Sequence, residues 1–136
     1  MRRLDNWDQR LTQWLTDNKD RPFKWGEWDC MIFAAQAIER VTGENVYVNI
    51  DQYTTEEEAL EVFKKLAGDN TFPRYVDTVL GASNRCKLQE SKRGDIVSFF
   101  HNNNWCMGVS MGSYFLALSP KGLRKLKLPC VCWHIE

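Results

Sequence analysis

The spacing of hydrophobic residues changes from a helical period to a strand period near the middle of the chain. In the first half they recur three or four positions apart, and in the second half they alternate. The first pattern predicts four helices, over 5–17, from Asp29 to Gly43, from Thr55 to Gly68, and from Pro73 to Gly81. The second predicts five strands, over 95–100, 105–111, 114–119, 123–128 and 130–135. This order indicates an α+β fold, with N-terminal helices packed on a C-terminal antiparallel sheet.

Length and charge limit the functions available to this fold. The 136 residues predict one domain spanning 1–136, and the 18 basic and 18 acidic side chains cancel. Because net charge is zero, we expect no indiscriminate nucleic-acid binding. The charge is unevenly placed, since residues 1–68 carry −4 and residues 69–136 carry +4. The basic run from Lys121 to Lys127 is interpreted as a solvated strand face, in preference to an anionic partner site.

The chain has five cysteines, its first residues lack the apolar run that a secretory leader would show, and no apolar run reaches membrane-spanning length. We therefore expect synthesis in a reducing cytoplasm, free thiols and no membrane insertion. A zinc site is the alternative, because Cys130, Cys132 and His134 alternate along one strand and Cys86 or Cys106 could complete four ligands. The Cys-x-Cys spacing differs from common structural zinc sites. The sequence accordingly predicts no metal and no cofactor.

The segment before the second predicted helix carries the clearest candidate for chemistry. Cys30 lies in the first turn, where backbone amides and the helix dipole favour a nucleophilic thiolate. The neighbouring acids Glu27 and Asp29 oppose this effect. Cys30 is therefore either a nucleophile or a small buried residue. Trp25 and Trp28 flank it and either contact a ligand or pack beside it.

The order of several short motifs resembles the NlpC/P60 family of papain-like cysteine peptidases. More closely, the whole chain resembles an NlpC/P60-like family encoded in the tail-gene clusters of tailed bacteriophages and prophages. The motifs are Trp25-Gly26-Glu27-Trp28-Asp29-Cys30, Arg93-Gly94-Asp95, Met107-Gly108-Val109 and Cys132-Trp133-His134-Ile135. Their shared order along the chain carries the resemblance.

The resemblance implies a papain-like fold with Cys30 at the nucleophile position. It also implies that Cys106 lies where the family has its histidine base, and neither His101 nor His134 is an obvious replacement. We therefore expect a tail-tip, baseplate-associated or tail-assembly protein with a catalytically degenerate peptidase fold. It would be made in the host cytoplasm, reside in the virion tail and bind tail proteins through the cleft beside Trp25, Trp28 and Asp29.

Two other functions remain open at this point. One is an active cysteine hydrolase that cleaves cell-wall peptidoglycan during genome delivery, with Cys30 attacking the amide carbonyl. The other is a tail-assembly adaptor or chaperone that is absent from the mature particle. The three hypotheses differ in whether the protein is found in virions and in whether Cys30 is needed for peptidoglycan digestion.

Overall fold

The computed structural model describes residues 1–47 and 50–136. Within this part of the chain, the helices are α1 (Trp7–Asn18), α2 (Cys30–Thr42), α3 (Glu56–Ala67) and α4 (Phe72–Leu80). The strands are β1 (Arg85–Cys86), β2 (Ile96–His101), β3 (Asn104–Ser110), β4 (Phe115–Ser119), β5 (Gly122–Leu126) and β6 (Cys130–Trp133). Single 3-10 turns cover Ala82–Asn84 and Leu88–Glu90.

The six strands form one antiparallel sheet in the order β1-β6-β2-β3-β4-β5. The predicted α+β class, with helices first and an antiparallel sheet second, is confirmed. All four predicted helices and all five predicted strands are present, with shifts of a few residues at their ends. Within the described ranges, no helix has the length and apolar character needed to cross a membrane.

Local hydrogen bonds explain why the helices begin and end where they do. The Asp29 carboxylate accepts the backbone N–H of Ile32 at 3.0 Å, and Gly43 ends α2 at a φ of 80°. The Thr55 hydroxyl likewise accepts the N–H of Glu58 at the start of α3. The Glu58 carboxylate returns to the N–H of Thr54, one residue earlier than in a standard capping box. Caps of this kind can be predicted from the sequence because the two residues in each hydrogen bond are no more than four positions apart.

The turn between β2 and β3 is tighter than the four polar residues of its sequence indicate. His101 and Asn104 pair with each other as the last residues of the two strands. Only Asn102 and Asn103 form the turn, with φ of 50° and 63°. Asparagine tolerates this left-handed region, and two such residues match the twist of a hairpin.

Strand β1 is absent from the sequence prediction because two residues cannot show an alternating pattern. Its place in the sheet depends on contacts with residues outside the strand itself. Arg85 pairs with Trp133 of β6, and its guanidinium donates to both oxygens of Asp77 on α4, at 2.7 and 2.8 Å. The Trp133 indole N–H also donates to Asp77 at 2.9 Å. The Asp77 carboxylate thus connects α4 with both β1 and β6.

Two hydrophobic clusters lie on opposite faces of the sheet. The larger one joins the helices to inward-facing strand residues such as Ile96, Val109 and Trp133, all fully buried. The smaller one contains Val97, Phe99, Phe115, Ala117 and Cys132 on the other face. Because alternate strand residues enter different clusters, the central strands are apolar on both sides.

Asp95 holds both ends of the chain against the start of β2. It is fully buried, and its Oδ1 accepts from the Arg3 guanidinium at 2.8 Å and from the Ile135 N–H at 2.9 Å. Its Oδ2 accepts from the Lys92 N–H at 2.7 Å and lies 3.0 Å from His134 Nδ1. Four partners on one buried carboxylate make it a centre of the fold.

Candidate functional site

A cleft of about 510 Å³ opens where β3 and β4 separate. These strands pair only through Val109 with Leu116 and Ser110 with Phe115. Beyond those pairs, the strands enclose a cavity whose other walls come from α3, β5 and the segment before α2. Besides Cys30 and Cys106, its lining includes Phe23, Trp25, Glu56, Leu60, Phe63, Phe99, His101, Trp105, Met107, Leu118, Arg124 and Leu128.

Cys30 is the first residue of α2 and contributes its thiol to this cleft. Burial raises the pKa of the thiol to about 12, and the neighbouring Cys106 and Asp29 raise it further. The backbone N–H groups of Met107 and of Cys30 itself lower the pKa and partly offset this rise. Desolvation therefore outweighs the helix N-terminus, and the thiol is protonated at neutral pH.

The structure brings Cys30 and Cys106 together and leaves both histidines apart from the thiol. Among the described residues, neither His101 nor His134 hydrogen bonds with Cys30. His101 is exposed and lines the cleft from the end of β2. His134 lies beyond β6 and contacts Asp95. Burial also raises the pKa of the Cys106 thiol, so Cys106 is not a ready proton acceptor.

The two tryptophans that flank Cys30 have different positions. Trp25 lines the cleft, where its ring packs edge-on against Phe23 with centroids 4.8 Å apart. Trp28 is fully buried and packs edge-on against Trp14 and Phe33 in the main core. Trp25 is therefore available to a ligand, whereas Trp28 supports the helix that carries Cys30.

Asp29 lies behind the cleft and has no exposed surface. Its carboxylate accepts from the backbone N–H groups of Gly26 and Ile32 and from the Tyr53 hydroxyl, the last at 2.6 Å. Three donors from three segments make it the anchor for the loop before α2. Asp29 thus positions Cys30 and does not itself reach a ligand.

Gly26 permits the loop to pass directly over Tyr53. Its φ is +79°, and a Cβ placed on it would lie 2.0 Å from the Tyr53 carbonyl oxygen. We expect Gly26→Ala to lower the free energy of unfolding by at least about 2 kcal/mol, because it adds a backbone clash to an unfavourable φ. Urea denaturation measures this loss.

Gly43→Ala is the matched control for this substitution. Gly43 has nearly the same φ of +80°, but a Cβ there would lie 3.5 Å from a Leu4 methyl group, an ordinary contact. We expect a loss of about 1 kcal/mol from the conformation alone. Equal losses in the two variants would show that the Tyr53 contact does not constrain the loop.

Most of the cleft wall was not predicted from the sequence. Leu60 and Phe63 come from α3, and Arg124 comes from β5. Their sequence pattern resembles that of ordinary helix and strand residues. Arg124 belongs to the basic run from Lys121 to Lys127, for which the charge pattern predicts a solvated strand face. The structure instead places Arg124 in the cleft lining.

The arrangement is suited to binding rather than to nucleophilic attack. Aromatic and aliphatic side chains provide most of the wall, and Glu56, His101 and Arg124 add polar groups. The thiol has backbone N–H groups beside it but no base within hydrogen-bond reach among the described residues. Fold and cleft together define an α+β protein with a cleft thiol at a helix N-terminus.

A family model, the domain of unknown function DUF6950, matches residues 2–134. The chain therefore belongs to the DUF6950 family. No curated protein and no solved structure matches it.

Proposed function

We propose that the protein is a bacteriophage tail-tip or baseplate-associated protein with an NlpC/P60-like, papain-like fold that has lost its catalytic base. The observation that carries this proposal is the environment of Cys30. The thiol has a raised pKa, and its side-chain neighbour is Cys106, at the position where the resembled family has histidine. Cys30 thus lies at the position of a nucleophile, but no neighbouring base among the described residues is available to deprotonate its thiol.

The cleft supports binding of an extended protein segment. Beyond Val109, the edge of β3 that faces β4 has no paired strand, and the same is true of β4 beyond Leu116. An extended chain can hydrogen bond to such an edge while its side chains enter apolar pockets. Trp25, Trp105 and Leu118 provide those pockets beside the open edges. The proposed occupant is a segment of a neighbouring tail protein.

Incorporation into particles tests this function. We expect a tagged copy of the protein to copurify with virions, and we expect Trp25→Ala to lower its incorporation at least about fivefold, because aromatic anchors dominate such contacts. Tyr114→Ala is the control, since Tyr114 is a partly exposed aromatic residue outside the cleft lining. Circular dichroism verifies that both variants fold.

Two results would contradict the proposal in different ways. If the protein is required for assembly but is missing from purified virions, it is an adaptor or chaperone. If the purified protein digests peptidoglycan and Cys30→Ala abolishes the digestion, it is an active hydrolase. We expect instead that wild-type protein and Cys30→Ala are equally inactive on peptidoglycan.

A further inference from the structure

Three potential metal ligands meet at the edge of the sheet, away from the cleft. The Cys86 sulfur, a carboxylate oxygen of Asp95 and a ring nitrogen of His134 all lie within 4.8 Å of one another. They come from β1, from the residue before β2 and from the residue after β6. In the sheet, β2 and β3 separate this cluster from the space between β3 and β4. The cluster is therefore independent of the Cys30 site.

The separations of these atoms, none above 4.8 Å, differ by no more than about 1.5 Å from those in a tetrahedral zinc site. Zinc binds nitrogen and oxygen at about 2.0 Å and sulfur at about 2.3 Å, which puts ligand atoms roughly 3.3 to 3.7 Å apart. His134 Nδ1 and Asp95 Oδ2 are already 3.0 Å apart. Small side-chain rotations can therefore bring all three groups onto one ion.

We propose that Cys86, Asp95 and His134 form a zinc-binding site. A thiolate, an imidazole and a carboxylate are together a donor set that zinc accepts, whereas calcium and magnesium prefer oxygen ligands. On binding, the Cys86 proton leaves to solvent and the imidazole carries its proton on Nε2, so that Nδ1 binds the ion. The His134 side chain is 38% exposed, which leaves room for a water as the fourth ligand.

The other contacts of Asp95 are compatible with this role. Its Oδ1 remains with Arg3 and the Ile135 N–H, and only Oδ2 turns to the metal. At Oδ2 the zinc ion replaces the proton shared with His134, and the Lys92 N–H continues to donate its hydrogen bond to the same oxygen. The buried carboxylate thus stays compensated during binding.

This ligand set differs from the one that the cysteine and histidine spacing in the sequence offers. Cys130 and Cys132 lie on one strand with their sulfurs 3.9 Å apart, but the compact group contains Cys86 instead of either. Cys86 comes into place because it pairs with Cys132 across β1 and β6. Cys106 lines the cleft and is remote from this group.

Metal titration of the full chain, reduced with a phosphine, tests the site. We expect one equivalent of Zn²⁺ to remain after removal of excess metal and to raise the melting temperature. Co²⁺ in its place should give a thiolate-to-cobalt charge-transfer band and the visible bands of tetrahedral cobalt. Cys86→Ser should abolish the charge-transfer band, and both Cys86→Ser and His134→Asn should weaken binding at least about tenfold.

Cys130→Ser is the matched control, since it removes a nearby thiol from outside the ligand group. We expect its affinity to stay within about twofold of wild type. The proposal is overturned if wild-type protein gives no cobalt charge-transfer band, or if Cys130→Ser weakens binding as much as Cys86→Ser. Circular dichroism confirms folding of each variant, and none of these outcomes depends on the role of the cleft.

Discussion

Iodoacetamide at pH 7 should alkylate Cys30 of the native protein about a hundredfold more slowly than it alkylates an unstructured cysteine. The thiol pKa is about 12, against about 8.5 for a free cysteine, so thiolate is roughly three thousand times scarcer. A more basic thiolate is the better nucleophile, and the Cys30 thiolate should therefore react about fortyfold faster than that of a free cysteine. The two factors together leave the net rate about a hundredfold lower. Desolvation is the main cause, since burial excludes the water that would stabilise the anion.

Peptide mapping by mass spectrometry measures the rate at Cys30 itself. The same protein unfolded in urea supplies the reference, because all five cysteines then lose their environments. The alkylation rate of Cys30 in the folded protein should increase with pH and should not yet have reached a plateau at pH 10. Rapid labelling of native Cys30 at pH 7 would contradict the raised pKa and would favour an active hydrolase.

A companion variant tests whether Cys106 stands where a base would act. Cys106→His should accelerate the alkylation of Cys30 at pH 7 at least about tenfold, because an imidazolium beside the thiol favours the thiolate. Cys106→Ser is the control, since it removes the sulfur without adding a titratable ring. If the two variants label Cys30 at equal rates, position 106 does not face the thiol as proposed.

The Asp95→Asn substitution should lower the free energy of unfolding by about 3–5 kcal/mol. The amide removes the charge that pairs with Arg3, whose side chain is only 11% exposed. In the native protein the two carboxylate oxygens accept from Arg3, Ile135, Lys92 and His134. In the variant, the side-chain N–H₂ group replaces one of these oxygens and faces donors that it cannot accept from. Leaving a charge and several donors unpaired is costly in a buried site.

Urea denaturation at low temperature measures this loss, and Arg3→Gln provides a second variant if Asp95→Asn does not fold. Arg3→Gln should cost less, because it removes the cation and leaves the backbone donors in place. Asp8→Asn is the control, since Asp8 forms an exposed pair with Arg93 and should change stability by less than about 1 kcal/mol. If Asp95→Asn matches this control, Asp95 does not hold the two ends of the chain together.

The position of Cys30 could be predicted from sequence, whereas its chemistry could not. Asp29 and Gly43 mark the ends of α2, so a helix beginning at Cys30 follows from local pattern. The raised thiol pKa depends on the burial of the sulfur in the folded chain and on Cys106, which is more than seventy positions away. In the same way, Trp28 and Trp25 share one motif, but only packing separates a core residue from a cleft residue.

The amino-acid sequence by itself determined the order of helices and strands, because hydrophobic period, caps and turn residues act within a few positions. It also determined the α+β class through the change of period between the two halves. Only the tertiary structure decided that β1 pairs with β6, that β3 and β4 part to form a cleft, and that Cys86 meets Asp95 and His134. Those features arise from contacts between distant segments, whose burial and hydrogen bonds have no local sequence pattern.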